Sequence, residues 1–320
     1  MKGFYSYPRG IFSPLGAFFL IFLLFGIFPK PPTLILALMG DIMLGRGIAQ
    51  AHRQAGWGNT FAYIKPFLTH ADLAAANLES PITTREITNP KSYDLRAPRE
   101  SVAALTSAGI KVLSLVNNHN LDSGLSGLKE TEEILSIADI QYISSDSPPL
   151  RMIINGIPLS FLAFEDVSQP LNKDTICPII QRESSSGATV IVSAHWGDEY
   201  HRYPNSSQKS LAQSLADCGA AIIWGHHPHI LQPIEWVDGK NQPFSTLVIY
   251  SLGNSIFDQH VFKETRLSLL MLVTIDAYQE ISYRWIPYEI NPQRGIIIPA
   301  GDKTIEYIRQ YVIQKYPMIK

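Results

Sequence analysis

Three histidines fall within four positions in Gly225-His226-His227-Pro228-His229, directly after the apolar run Ala220 to Trp224. Imidazole at this density is a metal-binding pattern. Four more polar motifs follow apolar runs. Asp41 closes Leu34 to Leu38 through a Gly40-Asp41 turn, and Glu79 follows Leu73 to Ala76 in Asn77-Leu78-Glu79-Ser80-Pro81. Asn118 and His119 follow Lys111 to Val116 in Asn117-Asn118-His119-Asn120, where consecutive polar side chains after a buried strand need partners. His195 follows Thr189 to Ser193 in Ala194-His195-Trp196-Gly197. Each motif alone has a plain structural reading, as a turn, a loop or a core histidine. Their recurrence at five strand ends is the informative feature. Carboxylate, amide oxygen and imidazole suit Mn²⁺, Fe or Zn²⁺ or, with fewer nitrogens, Mg²⁺.

The apolar runs read as buried strands with the chemistry at their C-terminal ends. That is where α/β sheets place their sites. Between the runs lie helical segments at Ser101 to Ala108, Leu125 to Ala138 and Ser206 to Asp217. Leu247 to Tyr250, Leu267 to Ile275 and Ile281 to Tyr288 read as further strands, and Lys303 to Gln314 as a last amphipathic helix. The alternation predicts an α/β fold. Pro170 to Ser186 reads as a loop-rich connection, and there is no internal repeat.

The formal net charge is -2, with no basic run beyond the N-terminus, which argues against a nucleic-acid partner. The segment from residue 11 to residue 28, IFSPLGAFFLIFLLFGIF, carries no charge. Its length is near the lower limit for spanning a bilayer, and the flank lacks the small residues of a cleavage site. An uncleaved anchor is the preferred expectation, a cleaved signal the alternative. Residues 1–32 are then an anchor and proline-rich linker, and 33–320 one folded body. Lys2 and Arg9 before the segment, against Lys30 after it, orient the body outside a bacterial-type membrane. Cys177 and Cys218 form no CxxC pair; they pair in a disulfide or remain buried thiols.

Taken together, Gly40-Asp41-Ile42-Met43-Leu44-Gly45-Arg46, Asn77 to Pro81, Asn117 to Gly124, Ala194 to Gly197, Gly225 to His229 and Tyr250-Ser251-Leu252-Gly253-Asn254 resemble the poly-γ-glutamate capsule biosynthesis family of CapA type. The resemblance covers roughly Thr33 to Asp258. It implies a calcineurin-like metallophosphoesterase fold: two packed β-sheets flanked by helices in a four-layer sandwich, with a site for one or two divalent metal ions. Position by position, it implies Asp41, Glu79, Asn118, His195, His226 and His229 as metal ligands, with Glu79 as the bridge. It implies His119 as the proton donor to a leaving group. Arg96, in Leu95-Arg96-Ala97-Pro98, is a candidate anion contact or an ordinary surface arginine. Met43 departs from the wider phosphoesterase pattern, Asp-x-His, and leaves one metal position short of a ligand.

Two functions follow. In the first, a membrane-anchored hydrolase or transferase acts outside the cell on an anionic polymer or its precursor. In the second, a non-catalytic tethered component binds polymer carboxylates within a capsule synthesis or export complex. His119 favours the first, because a purely structural metal needs no extra histidine beside Asn118.

Overall fold

A computed structural model describes residues 31–88, 93–145, 147–240, 242, 244–259 and 262–313. The segment expected as an anchor, 11–28, lies outside the described residues. Among the described residues no helix is long and apolar enough to cross a membrane.

The first half of the body runs β1 (Thr33–Ile42), α1 (Arg46–Ala55), α2 (Lys65–His70), β2 (Leu73–Leu78), α3 (Val102–Ala108), β3 (Val112–Ser114), α4 (Gly124–Ile137) and β4 (Gln141–Ile143). The second continues through β5 (Leu150–Ile154), β6 (Ile157–Glu165), α5 (Lys173–Ser185), β7 (Thr189–His195), α6 (Ser206–Cys218), β8 (Ile222–His226), β9 (Ile234–Asp238) and β10 (Ser245–Ile249). Then β11 (Asn254–Ile256), β12 (Leu267–Asp276), β13 (Ile281–Asn291), β14 (Ile296–Pro299) and α7 (Asp302–Tyr311) return the chain to the first sheet.

Two mixed sheets result. One has the order β14-β13-β12-β1-β2-β3-β4, with β11 beside β1; the other has the order β5-β6-β7-β8-β10-β9. The central strands are apolar on both faces because both faces are covered. In β1, Leu34, Leu36 and Leu38 pack between the sheets with Phe161, Ile191, Ile222 and Trp224. Ala37 and Met39 point the other way, onto a layer that includes Leu105 of α3 and Leu135 of α4. On the far side of the second sheet, Val190, Val192 and Ala194 pack with Ile180 of α5 and Leu215 of α6. The architecture is the expected α/β sandwich of two sheets flanked by helices. The Trp224 indole N–H donates to the Met39 carbonyl at 2.8 Å, satisfying a buried donor and tying one sheet to the other.

The segment expected as a loop near 170–186 is helical. Asn172 caps α5 by accepting the Asp174 N–H, and Ile176, Ile180 and Glu183 bury one face at helical spacing. Pro178 removes one intrahelical donor, but the buried stripe keeps the helix formed. Cys177 of α5 and Cys218 of α6 are joined in a disulfide, with a Cα–Cα distance of 5.4 Å.

Candidate metal centre

Register alone gathers the polar residues. Parallel pairing sets Asp41 opposite Asn77 on β2, and opposite Asn254 on β11. In the second sheet it sets His195 opposite His226. Within each group, glycines let neighbouring chain segments approach closely. A Cβ on Gly40 would lie 1.9 Å from the Gly253 carbonyl oxygen, and one on Gly225 would lie 2.1 Å from the Tyr250 oxygen. Asp41 and His226 each follow one of these glycines.

Asp41, Glu79, His195, His226 and His229 are all buried. His226 Nδ1 lies 3.0 Å from Asp41 Oδ1, and His229 Nδ1 lies 3.5 Å from Asp41 Oδ2. Glu79 faces His195 Nε2 at 3.6 Å and His229 Nε2 at 3.9 Å. His195 Nε2 lies 2.8 Å from Asn118 Oδ1. The six expected ligands are therefore linked pair by pair into one cluster. Asp41, Glu79 and His229 each bring a ligand atom within 4.8 Å of the others, a spacing that can hold a metal ion.

Neighbouring amides orient the set. Asn77 donates to Asp41 Oδ1 at 2.9 Å and is itself held by Asn117 at 3.2 Å. The His227 backbone N–H donates to Asp41 Oδ2 at 3.2 Å. His229 Nδ1 lies 2.9 Å from Asn254 Oδ1, and the Asn254 amide is fixed by Gln259 and the Thr265 carbonyl. This leaves Nε2 as the nitrogen His229 would offer a metal ion, with the ring braced through its other nitrogen. Sequence reading missed Asn77, Asn117 and Asn254. All three lie within the motifs already noted, Asn254 as the last residue of Tyr250-Ser251-Leu252-Gly253-Asn254.

The electrostatics are those of a dry cluster. Burial would raise the Asp41 pKa, but the His226 and His229 imidazoles hold it well below the usual carboxylate range. Burial, and then the Asp41 charge, push Glu79 up to about 8. Burial holds His195 well below the ordinary histidine value. Burial opposes charge on His229 too, yet the Glu79 and Asp41 carboxylates raise it to about 9. Glu79 Oε2, His195 Nδ1 and His226 Nε2 are buried without a hydrogen-bond partner. Native interiors seldom leave such atoms unpaired, and a divalent cation is the group that would satisfy carboxylate and imidazole together. The donor set fits a metal ion.

His119 stands beside this cluster. Its Nδ1 pairs with the Asp122 carboxylate at 2.8 Å, which leaves Nε2 to exchange a proton. Burial works against its charge, but the Asp122 bond and the Glu79 charge outweigh this and raise its pKa. A cavity of about 520 Å³, lined by Asn118, Asp166, Glu199 and His227 among others, opens onto the cluster. Arg96 lies elsewhere. It lines a separate cavity of about 810 Å³ whose lining includes none of the six expected ligands. Its guanidinium is engaged by Asp94, at 2.9 Å through Nε and 2.8 Å through Nη2, and by the Arg85 carbonyl at 3.0 Å.

A two-sheet α/β sandwich with carboxylates, amides and imidazoles gathered at its strand ends is consistent with a calcineurin-like fold. Residues 35–259 match the family described as "Bacterial capsule synthesis protein PGA_cap", and the chain belongs to that family. It is 35% identical over 247 residues to "PGA biosynthesis protein CapA" of Bacillus subtilis (strain 168), covering 70% of this chain and 63% of that protein. It is 32% identical over 254 residues to "Capsule biosynthesis protein CapA" of Bacillus anthracis, covering 71% of this chain and 60% of that protein. A "Probable polyglutamine synthesis accessory protein" of Mycobacterium tuberculosis is 26% identical over 88% of this chain and 91% of its own length. The chain thus spans somewhat under two thirds of the two Bacillus proteins.

Proposed function

We propose that the protein serves the synthesis or export of an anionic capsule-type polymer such as poly-γ-glutamate, as a metal-dependent hydrolase or transferase acting on the polymer or its precursor. The observation that carries this reading is the buried cluster of Asp41, Glu79, Asn118, His195, His226 and His229 with its unpartnered nitrogens. Family membership and the printed names of the Bacillus and Mycobacterium relatives support the polymer.

Asp41, Glu79 and His229 would hold one divalent ion, with Asn118, His195 and His226 completing that position or forming a second. A bound ion would polarise the scissile group and lower the pKa of a coordinated water. The protein's own part is to keep Asp41 ionised, to brace His229 through Asn254, and to keep a proton on His119 through Asp122 for the leaving group. The uncharged segment at 11–28 would hold the body at the outer face of a bacterial membrane. The Cys177–Cys218 disulfide supports an oxidising compartment.

The test uses full-length protein in detergent, loaded in turn with Mn²⁺, Mg²⁺ and Zn²⁺ and offered phosphoesters and polyglutamate. Turnover that disappears in His119→Ala supports the reading. No turnover above that variant on either substrate class removes the catalytic claim.

One observation favours a non-catalytic tethered role. Met43 is buried, and its sulfur accepts the Gly45 N–H at 3.1 Å, so it supplies no ligand where the wider pattern has histidine. On this second reading His119→Ala leaves polymer export intact, whereas deletion of 11–28 abolishes it.

A further inference from the structure

With the Met43 sulfur committed to the backbone, the cluster must find any replacement ligand elsewhere. The loop after β7 supplies a carboxylate that the motifs do not predict. Glu199, His227 and His229 each offer a ligand atom, and these atoms lie within 4.8 Å of one another. His227 is 5% exposed, and its Nδ1 is buried without a hydrogen-bond partner. Glu199 and His227 line the same 520 Å³ cavity at the mouth of the site.

Glu199 is held in place by its neighbours. The Tyr200 N–H donates to the Pro228 carbonyl at 2.9 Å, tying the Glu199 loop to the histidine loop. The Tyr200 hydroxyl accepts from Gln259 Nε2 at 3.1 Å, and the Tyr200 ring sits 6.1 Å from that of His229. Asn205 donates to Asp198 at 2.7 Å on the other flank. Tyr200, His227 and His229 all adopt positive φ, at 61°, 92° and 58°. Three non-glycine residues in this region carry a cost that only surrounding contacts sustain, and such positions cluster at ligand sites.

We propose that Glu199 and His227 are metal ligands which, with His229, hold a divalent cation at the mouth of the site. One carboxylate and two imidazoles suit Zn²⁺ or Mn²⁺. His229 belongs to both groups, but with Nδ1 held by Asn254 it offers one nitrogen, Nε2; when that serves the outer cation, the inner position is left to Asp41, Glu79 and the remaining imidazoles. The inference rests on the metal-centre reading and adds two ligands to it.

The experiment titrates Zn²⁺ and Mn²⁺ into full-length metal-stripped protein against a chromophoric chelator. It compares wild type with Glu199→Gln, Glu199→Asp, His227→Ala and Asp41→Asn. Residues that only brace a ligand commonly change metal affinity 10–100-fold, so a direct ligand should change it by at least about tenfold. Glu199→Gln and His227→Ala should each lose one bound ion or bind about tenfold more weakly, with Glu199→Asp intermediate. Glu199 is exposed, so the glutamine leaves packing intact. If Glu199→Gln and His227→Ala titrate like wild type while Asp41→Asn loses metal, the proposal falls and the inner centre stands. If wild type binds neither ion, both fall.

Discussion

Asn118 Oδ1 and His195 Nε2 lie 2.8 Å apart, although Asn118 follows β3 of one sheet and His195 ends β7 of the other. A ligand bridging such a pair also ties the two sheets together. Metal should therefore stabilise the whole body. At a hundredfold excess over Kd, binding adds about 2.7 kcal/mol. For a body of this size that raises Tm by roughly 4–5 °C. Thermal melts with and without chelator should show the increment in wild type and most of it gone in His195→Ala. Identical melts would count against a bridging ligand.

Metal uptake should release protons. Glu79 is pushed up to about 8 and His229 to about 9, and because each feels the other's charge the pair together holds at least one proton at pH 7 without a cation. A cation must displace it, so apparent affinity should strengthen as pH rises from 7 through 9 and level off above. Calorimetry in buffers of different ionisation enthalpy should register about one proton or more released per chain at pH 7. Buffer-independent heats would contradict the arrangement.

The Cys177–Cys218 bond closes a separation of 41 residues between α5 and α6. Loops of this size lose about 2–4 kcal/mol of stability when opened, although distortion elsewhere can offset part of it. Urea unfolding of Cys177→Ser/Cys218→Ser should show a lower midpoint by that free energy. An unchanged midpoint would mean that helix packing alone holds the outer layer.

Glu183 carries a second electrostatic prediction. Arg151 grips its carboxylate at 2.6 and 2.7 Å, and Ser160 adds a bond at 3.1 Å. The Arg151 bonds outweigh the cost of burial and bring its pKa down from 4.5 to about 2. A depressed carboxylate stabilises the fold fully above pH 4.5 and progressively less as pH falls toward 2. Glu183→Gln should cost about 1–2 kcal/mol at neutral pH, kept low because its two arginine partners, Arg151 and Arg182, face solvent. It should also flatten the acid limb of the stability curve. A parallel acid limb in the variant would assign the pH dependence to other carboxylates.

How legible this was in the sequence varies along the chain. β1, β2, β7 and β8 are apolar on both faces, so each reads as a continuous run with a polar residue at its end, and that pattern exposes Asp41, Glu79, His195 and His226. The hairpin of β5 and β6 was overlooked although Asn155-Gly156 marks its turn, with φ of 52° and 79°. α5 was obscured by Pro178, because local propensity argues against a helix that tertiary burial of Ile176, Ile180 and Glu183 overrides. Glu199 had no local signal at all. Its loop meets the histidine loop through Tyr200 and Pro228, a contact that only the folded chain creates. Arg96 illustrates the converse: a plausible anion contact by composition, it is occupied by Asp94 two residues away.

The central claim is that the buried carboxylate–imidazole cluster is a divalent-metal centre. Elemental mass spectrometry on full-length protein, dialysed after loading with Mn²⁺, Fe²⁺, Zn²⁺ or Mg²⁺, tests it most directly. At least one ion per chain should remain in wild type and be lost in both Asp41→Asn and His226→Ala, with the fold of each variant checked by circular dichroism. Absence of retained metal under every loading condition, or full retention in both variants, would contradict the account.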